Sequence, residues 1–164
     1  MAQLDEGILN LVRLVKGVMG ERRETLSSCE SLTGGLFGAY ICSVPGASDF
    51  YRGGAITYCD SVKNRLGVSA EVLKTKTAIS GECAEEMALA AARFTDSDWC
   101  VSFTGNAGPT AQDHAPVGCV FIGVAYHGRV KVSRLQLEGE RNDLRLECVR
   151  EGLRLLCHAL ADAA

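Results

Sequence analysis

Proline is scarce in this chain, with three residues in 164, at positions 45, 109 and 116, each in a glycine-containing stretch that reads as loop. Few forced breaks leave most of the sequence free to form regular elements. Long apolar runs are missing too. No segment approaches the roughly 20 apolar residues of a membrane helix. The opening Met1-Ala2-Gln3-Leu4-Asp5-Glu6 is acidic and lacks the basic-then-apolar order of a secretory signal. The expectation is a cytoplasmic protein. Neither sign of charge dominates, with 17 basic and 20 acidic side chains and a net charge of −3. Such a balance gives no electrostatic footprint for nucleic acid and no pull toward an anionic membrane. Repeats, linkers and charge blocks are absent.

Metal-ligand and redox spacings are lacking as well. Eight cysteines (29, 42, 59, 83, 100, 119, 148 and 157) include no Cys-x-x-Cys pair, and the three histidines (114, 127 and 158) are scattered singly. No metal site is therefore expected. Cys100 and Cys119 lie in apolar runs, where a thiol behaves as a small buried hydrophobe. Cys29 and Cys59 are the candidates for reactivity, because both flank polar residues of interest.

What the chain does have is 47% hydrophobic and 23% charged residues, the balance of an ordinary globular domain. Its length suits a single domain, 1–164, able to bury roughly two-thirds of its unfolded surface. Ile8, Leu11, Val12, Val15 and Val18 recur at helical spacing from Leu4 to Met19, with Gly20 as a stop. Thr25 to Cys29 reads as a strand and Leu36 to Cys42 as a helix. Gly54 to Tyr58 is a second strand, followed by a short helix from Ser61 to Leu66 that Gly67 ends. Ser80 caps a helix over Gly81 to Thr95 with an acidic first turn. Asp98 to Thr104 is a third strand, running into a turn-rich loop from Gly105 to Pro116. Gly118 to Tyr126 and Val130 to Leu137 form a hairpin about His127-Gly128. Asn142 opens a last helix reaching Ala161. Strands separated by helices, then a hairpin, imply an α/β fold with a mixed sheet and helices on both faces. Ligands of such sheets bind where loops cluster at strand C-terminal ends.

Three loops there carry chemistry. Ser31-Leu32-Thr33-Gly34-Gly35 is a strand-to-helix turn whose backbone N–H groups suit a phosphate or an oxyanion. Ser31 offers a nucleophilic hydroxyl, and Thr33 either caps the helix or meets the ligand. The turn is neither a Gly-x-x-x-x-Gly-Lys-Ser/Thr nor a Gly-x-Gly-x-x-Gly loop, which removes support for a nucleoside triphosphatase or a dinucleotide oxidoreductase. In Tyr58-Cys59-Asp60-Ser61-Val62-Lys63, the lysine is either a base working with the tyrosine or a solvated helix lysine. Thr104-Gly105-Asn106-Ala107-Gly108-Pro109 either approaches a ligand closely or forms a tight turn. Arg141 and Arg145 sit where the last helix begins, and a cation opposing the helix dipole there points to a phosphate.

Together, Glu30-Ser31-Leu32-Thr33-Gly34-Gly35, Phe50 to Tyr58 with Lys63, Thr104 to Pro109, Pro116-Val117-Gly118 and Gly139-Glu140-Arg141 resemble the CinA C-terminal domain family, in order and interval, over nearly the whole chain. That family includes stand-alone nicotinamide mononucleotide (NMN) deamidases and the C-terminal half of larger competence/damage-inducible proteins. The resemblance implies a three-layer α/β/α domain with a mixed, mostly parallel sheet of about five strands. It also implies a homo-oligomer and hydrolysis of the NMN carboxamide to nicotinate mononucleotide and ammonia, with no cofactor. Carried onto this sequence, Ser31, Tyr58 and Lys63 become catalytic: Ser31 attacks, and Lys63 accepts its proton with Tyr58 as relay. Thr33, Gly34, Gly35, Thr104, Gly105, Asn106, Arg141 and Arg145 become substrate-binding. Two stretches depart from the family. Thr110 to Ala115 stands where Asp-Gly-Gly or similar is usual, and Asn106 stands where a small or apolar residue is common. The competing expectations are an inactive nucleotide- or partner-binding relative, or a hydrolase of another amide or nucleotide.

Overall fold

The interior strand β1, Leu26–Glu30, has no exposed residue. Strands buried on both faces are ordinarily apolar, yet this one reads Leu-Ser-Ser-Cys-Glu, so each polar side chain needs an internal partner. Ser27 Oγ meets Ser97 Oγ at 2.6 Å, and Ser28 Oγ meets the Tyr51 hydroxyl at 2.7 Å. Those partners let the strand run one residue further than its composition suggests and bury Glu30. The computed structural model describes residues 4–164.

Strand β1 pairs in parallel with β2 (Tyr51–Ile56) on one side and β3 (Trp99–Gly105) on the other. Antiparallel β4 (Cys119–Tyr126) follows β3 and returns as β5 (Arg129–Gln136), giving the order β2-β1-β3-β4-β5. Four strands therefore point one way and β4 alone runs against them, while neighbouring pairs divide evenly between parallel and antiparallel. His127 and Gly128 both take positive φ, 46° and 77°, the backbone that a two-residue hairpin turn requires.

Helices cover both faces. On one lie α1 (Glu6–Arg22), α2 (Leu36–Cys42) and α6 (Arg141–Asp162), packed on Trp99, Phe103 and Ile122. Gly152 brings α6 onto the Phe103 ring, which any side chain there would strike. On the other face lie α3 (Asp60–Leu66), α4 (Ala70–Thr75) and α5 (Gly81–Thr95). Cys83, Met87, Ala88 and Ala91 of α5 pack on Cys29 and Cys100. No helix among the described residues is long and apolar enough to cross a membrane.

Several elements differ from the sequence reading, four of them for a reason the structure shows. Helix α1 passes through Gly20 and ends at Arg23 (φ 56°), because Arg22 donates to the Leu160 carbonyl at 2.7 Å and ties the last turn to α6. Strand β2 lies earlier than expected: Gly54 has no room for a Cβ beside Ser28, so the glycines pair with β1 and Tyr58 falls beyond the strand. Helix α4, capped by Ser69, is too short for a periodic pattern. Helix α6 begins at Arg141 after Glu140, which places Asn142 inside the first turn.

All eight cysteines are free thiols. Burial pushes Cys29 up to about 11 and Cys83 and Cys148 up to about 12. Cys59 is exposed at the start of α3, where the Ser61 hydroxyl and the Val62 N–H hold its thiol below the ordinary range. A lowered pKa means that thiolate, the reactive form, appears at lower pH. An aromatic disulfide reagent is therefore expected to modify Cys59 at a pH where ordinary thiols are still slow. The five buried thiols should react only after denaturation. Loss of the low-pH phase in Cys59→Ser checks the assignment; its persistence would contradict it.

Candidate active site

Ser31 continues the line of β1, its N–H donating to the Phe103 carbonyl at 2.9 Å, and the chain then turns into α2. Gly34 and Gly35 make that turn at positive φ, 57° and 96°, which side chains rarely tolerate. The start of α2 is not an open cradle. The buried Glu30 carboxylate folds back beneath it and accepts the N–H groups of Gly35 (3.0 Å), Phe37 (3.1 Å) and Gly38 (2.9 Å). The Gly34 N–H is taken by the Ser31 carbonyl. Gly34 and Gly35 thus serve the turn, with their N–H groups already spent. A negative charge does sit at this helix N-terminus, as the dipole favours, but the protein supplies it.

Thr33 does not cap α2, whose cap residue is Gly35; its buried Oγ1 has no hydrogen-bond partner among the described residues. Arg145 is committed as well. Its guanidinium donates to the carbonyls of Leu32 and Thr33, both at 3.0 Å, and to Asn142 Oδ1. The cation in the first turn of α6 therefore clamps the Ser31 turn, adding to the Leu36 N–H on the Thr33 carbonyl and reaching the Leu32 carbonyl beside it. That corrects its reading as a free phosphate ligand.

Lys63 reaches the same place from α3. It is 1% exposed, and its Nζ lies 3.0 Å from Ser31 Oγ, 2.7 Å from the Thr57 carbonyl and 3.4 Å from the Tyr58 carbonyl. The solvated-helix alternative fails, because the short α3 packs on α5 and aims this side chain inward. No carboxylate lies within ion-pair distance of it among the described residues, so the amine faces only oxygens of hydroxyl and carbonyl type. Tyr58 presents its backbone to Lys63 and its phenol elsewhere. The ring is largely exposed, and the hydroxyl accepts from Arg141 at 2.8 Å. A relay from Lys63 through the phenol has no hydrogen bond to run along. Arg141 also donates to the Gly108 carbonyl at 2.6 Å, so its guanidinium spans the gap between the Tyr58 and Gly108 loops.

The third loop holds the opposite wall. Thr104 Oγ1 is spent on the Ala78 carbonyl at 2.6 Å, and a Cβ on Gly105 would meet the Cys119 carbonyl at 2.7 Å. Asn106 donates to the carbonyls of Thr110 and Ala115 and accepts from the Gly108 N–H. This asparagine pins the unusual 110–115 loop and has little left for a ligand. Thr104, Gly105 and Asn106 form the wall by backbone packing, not by offering free polar atoms.

These groups enclose a cavity of about 90 Å³, lined by Ser31, Lys63, Tyr58, Asp60, Thr104 and Arg141 among others. A second cavity of about 460 Å³ lies beyond Arg141 and shares Ala107 and Arg141 with the first. Sites for small ligands run ~300–1,000 Å³, so the inner space takes only the reacting end of a ligand that continues past Arg141. Among the described residues no group of His, Cys, Asp and Glu side chains could hold a metal. A serine hydroxyl held by a buried amine is a nucleophile paired with a base. The N–H groups of Leu32 and Ala107, both residues of the cavity wall, have no partner among the described residues and could receive a developing oxyanion. The sequence reading missed Glu30 and Asp60. For Asp60 the signal was its spacing, three residues before Lys63 on one helix.

Comparison with known proteins agrees with this architecture. The model of the CinA C-terminal domain matches residues 9–160. The competence-damage inducible protein of Bacillus velezensis is 40% identical over 153 residues, covering 92% of this chain and 36% of its own length. That of Bacillus subtilis is 38% identical, covering 92% and 36%. The chain thus spans about a third of the length of these curated relatives. Among solved structures, the competence/damage inducible protein CihA from Agrobacterium tumefaciens superposes with a TM-score of 0.92 at 30% identity, covering 98% of this chain and 99% of that one. The competence damage-inducible protein A from Klebsiella pneumoniae gives 0.91 at 29%, covering 94% and 97%.

Proposed function

The chain belongs to the CinA C-terminal domain family, and from that premise we propose that it is an amidohydrolase acting on the carboxamide of nicotinamide mononucleotide. The observation that carries this reading is the 3.0 Å contact between the Ser31 hydroxyl and the buried Lys63 amine. Ser31 Oγ attacks the carboxamide carbon while Lys63 takes its proton. The tetrahedral oxyanion points to the unpartnered N–H groups of Leu32 and Ala107. Lys63 returns the proton to nitrogen, the C–N bond breaks, ammonia leaves, and a Ser31 ester remains. Water, deprotonated by Lys63, cleaves that ester to nicotinate mononucleotide and restores the serine. Tyr58 lines the mouth, and Arg141 is the cation placed to meet a phosphate once it releases Tyr58 and Gly108. A binding-only relative would have no need of a lysine buried against a serine.

The test is ammonia and nicotinate mononucleotide formation by the purified protein. The nucleotide is expected to be cleaved about tenfold or more better in kcat/KM than nicotinamide riboside, since a forked arginine contact to phosphate is worth about that much. Arg141→Ala should bring the two substrates within about threefold of each other. No turnover of the nucleotide by folded protein would refute the amidase reading. An unchanged ratio in the variant would move the phosphate off Arg141.

A further inference from the structure

Asp60 is unused by the chemistry above, yet it is the single carboxylate on the wall of the reaction cavity. As the first residue of α3 it lies on the same helix face as Lys63, three positions on. A carboxylate in a first turn ordinarily serves the helix, by accepting an N–H or by facing the dipole. Here the cap position is Cys59, without a side-chain cap, and Asp60 makes no hydrogen bond and no ion pair among the described residues. The two basic side chains on the same wall are engaged elsewhere: Lys63 on Ser31 and the Thr57 carbonyl, Arg141 on Tyr58 and the Gly108 carbonyl. Asp60 stands exposed at the edge of the cavity, where a shallow surface hollow lined by Ser61, Asn64 and Lys74 adjoins it, with no partner for its charge among the described residues. Two residues earlier, the exposed ring of Tyr58 offers a π face, which also attracts cations.

We propose that this cleft selects an amide carried on a cationic ring, with Asp60 as the residue that reads the charge. The proposal rests on the amidase reading and narrows its substrate class. A carboxylate at the cavity edge repels an anion, so the phosphate belongs on the Arg141 side and the ring on the Asp60 side. A ligand that satisfies both is a dipolar one, positive at the reacting ring and negative at the far end. An N-glycosylated pyridinium carboxamide bearing a phosphate has that arrangement. Its reduced, dihydropyridine form keeps the carboxamide, ribose and phosphate but carries no ring charge. If Asp60 only accepted an amide N–H, it would treat the two forms alike.

The experiment compares the oxidised and reduced mononucleotides by titration calorimetry and by ammonia release, in wild type, Asp60→Asn and Asp60→Glu. One unit charge facing another in a half-open cleft is worth about tenfold in affinity. Wild type is expected to favour the oxidised form by that factor or more. Asp60→Asn should bring the ratio to within about threefold, and Asp60→Glu should keep most of the preference. A wild-type ratio near one, or a ratio that survives in Asp60→Asn, overturns the proposal. Binding without ammonia release, with the ratio still set by Asp60, would refute the amidase reading while upholding the charge reading. Absence of binding by either nucleotide refutes both.

Discussion

Alanine in place of Ser31 is expected to lower ammonia release from nicotinamide mononucleotide by about 10³-fold or more, with KM little changed. The hydroxyl is the one nucleophilic oxygen held against the Lys63 amine, and the variant leaves Lys63 its two carbonyl partners. Lys63 should therefore stay in place, and the loss should fall on the chemical step. Stability should change by about 1 kcal/mol, the ordinary cost of one hydrogen bond. Circular dichroism, thermal melting and calorimetric binding of the nucleotide then separate lost chemistry from lost fold. Hydroxylamine added during turnover should trap the acyl group of wild type as a hydroxamate and find none in the variant. Activity within tenfold of wild type would show that water attacks directly, and Ser31 would then be a wall residue.

The outline of this fold was legible because the hairpin, α5 and the apolar stripe of α6 announce themselves in sequence. Glycine at Gly128 and the Ser80 cap are local signals with local consequences. Ser31 and Lys63 were singled out through the resemblance to a family; by residue type alone the serine reads as well as part of a helix cap and the lysine as a solvated residue of α3. What the sequence hid were contacts that close over a distance in chain. Arg145 reads as a free cation until α6 is laid across the Leu32 and Thr33 carbonyls, 113 and 112 residues away. Tyr58 reads as a partner of Lys63 until the strand before it shifts and its phenol turns to Arg141, 83 residues on. Asn106 reads as a ligand donor until the loop it pins is folded around it. Polar residues look alike in sequence whether they serve a ligand or the backbone. The difference lies in which carbonyls are left without partners after folding.

Glu30 shows this most sharply, and Glu30→Gln is expected to destabilise the protein by about 3 kcal/mol. The side chain is 2% exposed, and its two oxygens accept three backbone N–H groups at the start of α2 besides the Ser28 hydroxyl. Glutamine has the same shape, but one acceptor becomes an NH₂ group. If that group replaces Oε2 it faces the Gly35 and Phe37 donors; if it replaces Oε1 it faces Gly38. Either orientation leaves at least one buried N–H unpaired, at about 1–3 kcal/mol, and removes a charge that the helix N-terminus favours by up to ~2 kcal/mol. The lost desolvation penalty of the carboxylate returns part of that sum. For a chain of this length the loss corresponds to a fall in Tm of roughly 6–12 °C. Urea unfolding gives the free energy, and a change below about 1 kcal/mol would show that the turn is held by other contacts. Because α2 begins where the Ser31 turn ends, the damage should reach the chemistry. Arg145 still fixes the Leu32 and Thr33 carbonyls in this variant, so nucleotide affinity should survive while turnover falls. A variant that loses affinity but keeps turnover would place Glu30 in ligand binding and not beneath the nucleophile.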